Sequence, residues 1–197
     1  MEYVHVVENL IPIEYCNHLI DKFEKSSGKH TGMIGSGVTD TNLKKTTDFH
    51  PYKYSDWVED IREIDKYVAK GIVQYLEHIK YSVFGGNDVI LRQMFEDGID
   101  ATGFQIQKYD VGDFFNWHCD DAPGKKRLLA YIVYLNTMKI DDGGKTEFLN
   151  GKRIVPEAGH ILFFPSTWSY VHRGEPIKND TKYIITGFVY EILTHTT

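Results

Sequence analysis

The hydrophobic period of the chain changes once, near Gly98, and that change limits the fold more than any other feature. Before it, apolar residues recur at helical spacing. Cys16, Leu19, Ile20 and Phe23 share one face of a short helix that starts after Pro12 and stops by Gly28. Val58, Ile61, Asp65, Val68, Ile72, Tyr75 and Ile79 track one broad face of a longer helix over residues 56–79. After Gly98 the period is two. Residues 102–109 alternate, with Phe104 and Ile106 on one side and Gln105, Gln107 and Tyr109 on the other. Residues 127–136, 159–164 and 182–190 are further strands rich in aliphatic and aromatic side chains. Turn signals divide them: Ala122-Pro123-Gly124, Asp142-Gly143-Gly144, Asn150-Gly151 and Lys178-Asn179-Asp180. Helices first and short strands afterwards predict an α+β, mainly β, domain. Its strand half is expected to be a small barrel or a two-sheet jelly roll. The 197 residues suit one domain, with residues 1–100 as helical support and a loop and residues 101–193 as the β core. Within the first part, residues 29–54 lose all periodicity, and a loop that long is usually functional or disordered.

Composition narrows the setting. A formal net charge of −6 offers no electrostatic reason for nucleic acid as the main partner. Two cysteines, Cys16 and Cys119, make no disulfide framework, as expected in a reducing cytosol. No apolar run approaches a bilayer-spanning length, and residues 1–10 lack the pattern of a secretion signal. A cytoplasmic protein without a membrane partner is the expectation.

Against this frame four side chains stand out: His118, Asp120, His172 and Lys182. Two imidazoles and one carboxylate can hold Fe(II) on one face and leave positions open. In a strand, positions i and i+2 face the same way, so His118 and Asp120 can reach one ion while Cys119 turns away. Cys119 then reads as a small buried apolar residue, and Trp117 with Phe114 and Phe115 reads as core. The bland alternative is real. Nine histidines make accidental combinations, and Trp168, Tyr170 and His172 could be one face of a strand with the imidazole bonded in the core. Lys182 opens a strand whose inward face carries Ile184, Thr186 and Phe188. A lysine facing a barrel interior is costly unless paired, and a dicarboxylate ligand would pair it. Tyr109 and Tyr134, on separate strands, can offer hydroxyls to the same ligand.

The ordered series across residues 105–189 resembles the prolyl 4-hydroxylase-like branch of Fe(II)/2-oxoglutarate dioxygenases. It runs Gln107-Lys108-Tyr109-Asp110-Val111-Gly112-Asp113, His118-Cys119-Asp120, and Tyr131-Ile132-Val133-Tyr134-Leu135-Asn136. Gly143-Gly144-Lys145-Thr146-Glu147-Phe148 follows, then Pro156-Glu157-Ala158-Gly159-His160, His172-Arg173-Gly174 and Thr181-Lys182-Tyr183. The resemblance implies a double-stranded β-helix of the jelly-roll or cupin-like kind, with supporting N-terminal helices. It makes His118, Asp120 and His172 the iron ligands. It puts Tyr109, Tyr134, Thr146, Lys182 and Thr186 in the 2-oxoglutarate pocket, with Lys182 on the distal carboxylate. It implies Fe(II), 2-oxoglutarate and O2, with ascorbate as a candidate reductant. Many relatives carry Trp six residues after the cation, where this chain has Phe188.

The implied reaction is hydroxylation of an unactivated C–H with release of succinate and CO2. The expected substrate is a prolyl residue in a peptide or protein. Arg127, Trp168 and Tyr170 are its expected contacts, and residues 31–50 are expected to form a lid. Strand parity sets Arg127 against Tyr134, so Arg127 is expected in the loop before the strand, with Pro123, Gly124, Lys125 and Lys126. Three alternatives stay open: hydroxylation of a free amino acid or other small molecule, a cupin-like metal enzyme without 2-oxoglutarate, and a non-catalytic metal-binding protein.

Overall fold

The computed structural model describes residues 2–35, 37–96, 98–121, 124 and 126–192. Two antiparallel sheets face each other. The larger has the order β1 (His5–Val7), β11 (Ile161–Pro165), β8 (Arg127–Tyr134), β13 (Lys182–Glu191), β6 (Phe104–Tyr109), β4 (Thr47–Phe49), β2 (His30–Thr31), with β5 (Ile99–Asp100) also on β13. The smaller has the order β10 (Arg153–Ile154), β9 (Thr146–Phe148), β12 (His172–Gly174), β7 (Phe114–His118), β3 (Lys44–Lys45). This is the two-sheet arrangement that the alternation predicts. Among the described residues no helix is long and apolar enough to cross a membrane.

Alternation splits the buried side chains into two layers. Ile106, Tyr131, Val133, Phe163, Ile185 and Val189 face the helices. Tyr109, Ile132, Tyr134, Phe164 and Ile184 face the space between the sheets, where Phe148 of the smaller sheet meets them. Each layer is therefore one side of the same strands, as a period of two requires.

The helices are α1 (Ile13–Lys25), α2 (Val58–Ser82) and the short α3 (Val89–Met94). Cys16, Leu19 and Phe23 of α1 are fully buried, as their spacing predicts. On α2 the expected face is displaced. Asp60, Ile64, Val68, Gly71, Ile72, Tyr75 and Ile79 are buried, while Val58 is 40% exposed. Trp57, just before the helix, is fully buried instead. Asp60 can be buried because Lys22, His18 and Tyr15 all bond its carboxylate.

Gly71 lets α2 approach the larger sheet. A Cβ there would come within 2.9 Å of two Phe163 ring carbons. Alanine improves helix propensity by about 1 kcal/mol, but overpacking costs about 1–3 kcal/mol. Gly71→Ala is therefore expected to lower the thermal midpoint, by about 2–4 °C for each kcal/mol lost. A raised midpoint would show that the ring moves aside freely.

Three expectations need correction. The first hundred residues are not only helices and loop, since they supply β1 to β5. Residues 31–50 are not one free lid, because Lys44, Thr46 and Asp48 are buried and strands β3 and β4 tie residues 44–49 into both sheets. Residues 32–43 remain between strands, with an isolated bridge Ile34↔Val38. Arg127 lies inside β8 and not in the loop before it. Leu129 opposes Val189 while Arg127 opposes Tyr190, so Leu128 is an extra residue in the strand. This β-bulge resets the parity. Of the expected Ala122-Pro123-Gly124 turn, Ala122 and Pro123 lie outside the described residues, as does Lys125.

Candidate active site

His118 ends β7 and His172 begins β12, and the two are paired in register. Asp120 lies just past the end of β7. The convergence of His118 and Asp120 thus comes from the chain leaving the sheet, not from strand pleat. Because the strand has ended, Cys119 is exposed and not buried as expected. One ligand atom from each of His118, Asp120 and His172 lies within 4.8 Å of the others. Asp120 Oδ1 is 3.8 Å from His118 Nε2, and Oδ2 is 3.6 Å from His172 Nε2. Donors bonded at about 2 Å to one ion stand apart by distances of this order.

Backbone carbonyls select the tautomers. His118 Nδ1 donates to Asn116 O at 2.8 Å, and His172 Nδ1 donates to Tyr170 O at 3.0 Å. Each Nε2 is then left with its lone pair directed toward the other ligands, the arrangement a metal-binding histidine requires. Burial holds His118 well below its ordinary pKa, keeping the ring neutral. Burial also pushes Asp120 up, a cost that a divalent cation beside it would offset. Fe(II) fits this donor set of two neutral imidazoles and one carboxylate.

Phe164 and Phe148 enclose His172, with ring centroids 4.7 and 5.6 Å away. Phe115 stacks on His118 at 3.5 Å. Phe115 therefore belongs to the site and not merely to the core. Trp117, also expected in the core, is 37% exposed, with the Arg173 guanidinium 4.7 Å from its ring.

The second half of the site lies between the sheets. Lys182 is 2% exposed and donates to Gly144 O at 2.6 Å. Gly144 adopts φ +71°, a left-handed conformation that suits glycine and aims this carbonyl. Burial lowers the Lys182 pKa to about 7. Its ammonium is 5.2 Å from the Tyr109 ring and 5.9 Å from the Tyr134 ring. Tyr134 Oη and Thr146 Oγ1 are hydrogen-bonded at 2.8 Å, which links the two sheets. Tyr109 donates to Gln107 Oε1 at 2.9 Å. Thr186 shares the inward parity of Lys182 on β13. The line from Lys182 to the ligands is short: Tyr109 pairs with Lys182, and a Cβ at Gly174 would lie 3.8 Å from Tyr109. Gly174 is two residues along β12 from His172, about 7 Å at the usual strand rise.

At the mouth, the bulge turns Arg127 inward. Its guanidinium lies 3.7 Å from the Phe188 ring centroid, and Nη1 donates to Asp120 O at 2.8 Å. Arg127 Nε is buried with no hydrogen-bond partner among the described residues. Trp168 and Tyr170 belong to a 3-10 turn, Trp168–Tyr170, and not to a strand. Trp168 is 77% exposed, which excludes the core-packing alternative for it. Sequence reading missed the buried Lys44–Asp48 pair beside β7. Its one signal was a four-residue spacing of opposite charges around the strand-forming Thr46 and Thr47.

Residues 104–190 match the model of the 2OG-Fe(II) oxygenase superfamily. Among solved structures, the fold is similar to the viral collagen prolyl hydroxylase of Paramecium Bursaria Chlorella virus-1 in its 2OG complex. The TM-score is 0.63 at 20% identity, covering 97% of each chain. A prolyl hydroxylase from Trichoplax adhaerens, solved with a hypoxia inducible factor peptide fragment, gives a TM-score of 0.74 at 16% identity, covering 97% of this chain and 84% of the other. A Pseudomonas putida prolyl-4-hydroxylase gives 0.65 at 16%, covering 96% and 93%. No curated protein sequence matches. At such identities the structural likeness is one of fold, the double-stranded β-helix. The matched segment carries both imidazoles, the carboxylate and the buried lysine, and over this stretch the chain is similar to the 2OG-Fe(II) oxygenase superfamily.

Proposed function

We propose that this protein is an Fe(II)- and 2-oxoglutarate-dependent hydroxylase of prolyl residues in peptides or proteins. The observation that carries the reading is the joint placement of a His118–Asp120–His172 set and a buried, anion-seeking Lys182 across one inter-sheet space. Three protein ligands on one side of an ion would leave its other positions free. Lys182, Tyr134 and Thr146 would hold the far carboxylate of 2-oxoglutarate, with Tyr109 and Thr186 lining the pocket. Bound iron would supply activation of O2, coupled to release of succinate and CO2 and to hydroxylation of a C–H bond.

The chain's own contribution is positioning. Asn116 O and Tyr170 O orient the imidazoles. Phe148, Phe164 and Ile184 keep water from the interior. The Arg127 guanidinium would meet a substrate at the mouth, and the exposed Trp168 ring with Tyr170 would face a prolyl ring. Residues 32–43 would be the segment that covers a bound peptide. Unpaired Cys16 and Cys119 support a cytoplasmic setting.

Mass spectrometry of proline-containing peptides and of free amino acids, with Fe(II) and 2-oxoglutarate present, tests the assignment. A one-oxygen gain on proline in the peptides is expected. Gain only on free amino acids or other small molecules would replace the peptide reading. No 2-oxoglutarate turnover with any substrate would favour a metal-binding protein without this chemistry.

A further inference from the structure

Lys44 and Asp48 are both 1% exposed and form an ion pair at 2.6 Å. They flank the point where the chain crosses from the smaller sheet (β3) to the larger (β4). Thr46 Oγ1 donates to the second carboxylate oxygen at 2.7 Å, so both oxygens of Asp48 are engaged. Burying two charges is costly, and apolar residues of similar volume would hold such a corner at least as well. Stability alone therefore does not account for the pair.

The contacts of Lys44 indicate another role. Lys44 is paired in register with Phe115 across β3 and β7. Its ammonium lies 5.4 Å from the Phe115 centroid, and Phe115 stacks on His118 with an interplanar angle of 11°. Lys44 Nζ also donates to Met33 O at 3.4 Å, in the segment 32–43. The root of that segment is pressed against the same corner. A Cβ at Gly32 would lie 2.1 Å from Thr46 Oγ1 and 3.0 Å from Lys44 Cε.

We infer that Lys44 is a positioning residue for His118. It acts through Phe115 and also seats the root of residues 32–43. The Nδ1 bond to Asn116 O fixes one direction of the imidazole, and the stacked ring fixes its plane. Displacement of the segment at Met33 is thereby communicated to a metal ligand without touching it. The inference rests on the metal reading of the site and adds to it two residues, Lys44 and Phe115.

Co(II) titration tests it, since the visible absorption of bound cobalt reports ligand geometry. The double variant Lys44→Met/Asp48→Asn removes both charges together and keeps an acceptor for Thr46. Phe115→Leu removes the stacked ring and keeps the ion pair. Loss of a group that orients a ligand weakens metal binding about 10–100-fold. Both variants are expected to show this loss and a shifted visible spectrum. Only the double variant should also be nicked faster by protease within residues 32–43. Wild-type affinity and spectrum in either folded variant overturn the inference. Failure of the unaltered protein to bind Co(II) or Fe(II) overturns the metal reading, and the inference with it.

Discussion

Asp120→Ala is expected to abolish turnover and to weaken divalent-metal binding by at least about a hundredfold. Groups that merely orient a ligand are worth up to that factor, and Asp120 is the one anionic donor of the set. The two imidazoles that remain bring no negative charge to offset that of the ion. The fold should not suffer. Burial raises the carboxyl pKa, so above that raised value the folded, metal-free protein carries a poorly solvated anion. Alanine removes this cost. The metal-free variant should therefore unfold at or above the wild-type temperature, while metal no longer raises its midpoint. Calorimetric titration with Fe(II) or Mn(II), with thermal unfolding alongside, checks both halves. Near-normal metal affinity would remove Asp120 from the ligand set.

Lys182→Met should raise the KM for 2-oxoglutarate by about a hundredfold to several thousandfold while metal binding stays intact. Leaving one charge of a buried pair without its partner costs about 3–5 kcal/mol. Methionine keeps the bulk of the stem, so packing between the sheets changes little. pH supplies an independent signature. The Lys182 pKa of about 7 in the ligand-free protein means that binding a carboxylate above that pH requires uptake of a proton. Wild-type affinity for 2-oxoglutarate should then fall as pH rises from 7 to 9, by up to about tenfold per unit. The Met variant should lack that slope. Stability runs the other way. The unfolded chain keeps this lysine protonated up to about 10.5, so the ligand-free wild type gains stability as pH rises from about 7 toward that value, and Met removes the gain. An unchanged KM in the variant would remove Lys182 from the pocket.

Much of this site was legible because it depends on short-range regularities. Alternation across residues 104–109 and 182–191 sorts Tyr109 and Lys182 onto the inward face, and the β-rich half announces a two-sheet core. What escaped depends on where strands end, slip or cross. Cys119 was expected to be buried because β7 was read as continuing past His118. Arg127 was assigned to a loop because a regular strand would have turned it outward, and one inserted residue is silent in a hydrophobic pattern. Lys44, Thr46 and Asp48 read as solvated loop because their partners come from another sheet. Val58 was expected on the buried face and Trp57 is buried instead, because helix periodicity gives the angle of a face but not where the helix begins.

In a regular strand facing is decided once, and every residue inherits the decision. The extra residue Leu128 divides β8 into two lengths that face independently. Leu129 to Tyr134 answer to the helices and the inner core, whereas Arg127 answers to the Phe188 ring and the Asp120 carbonyl. The residue at position 127 can therefore change without reversing the faces of the strand that pack behind it.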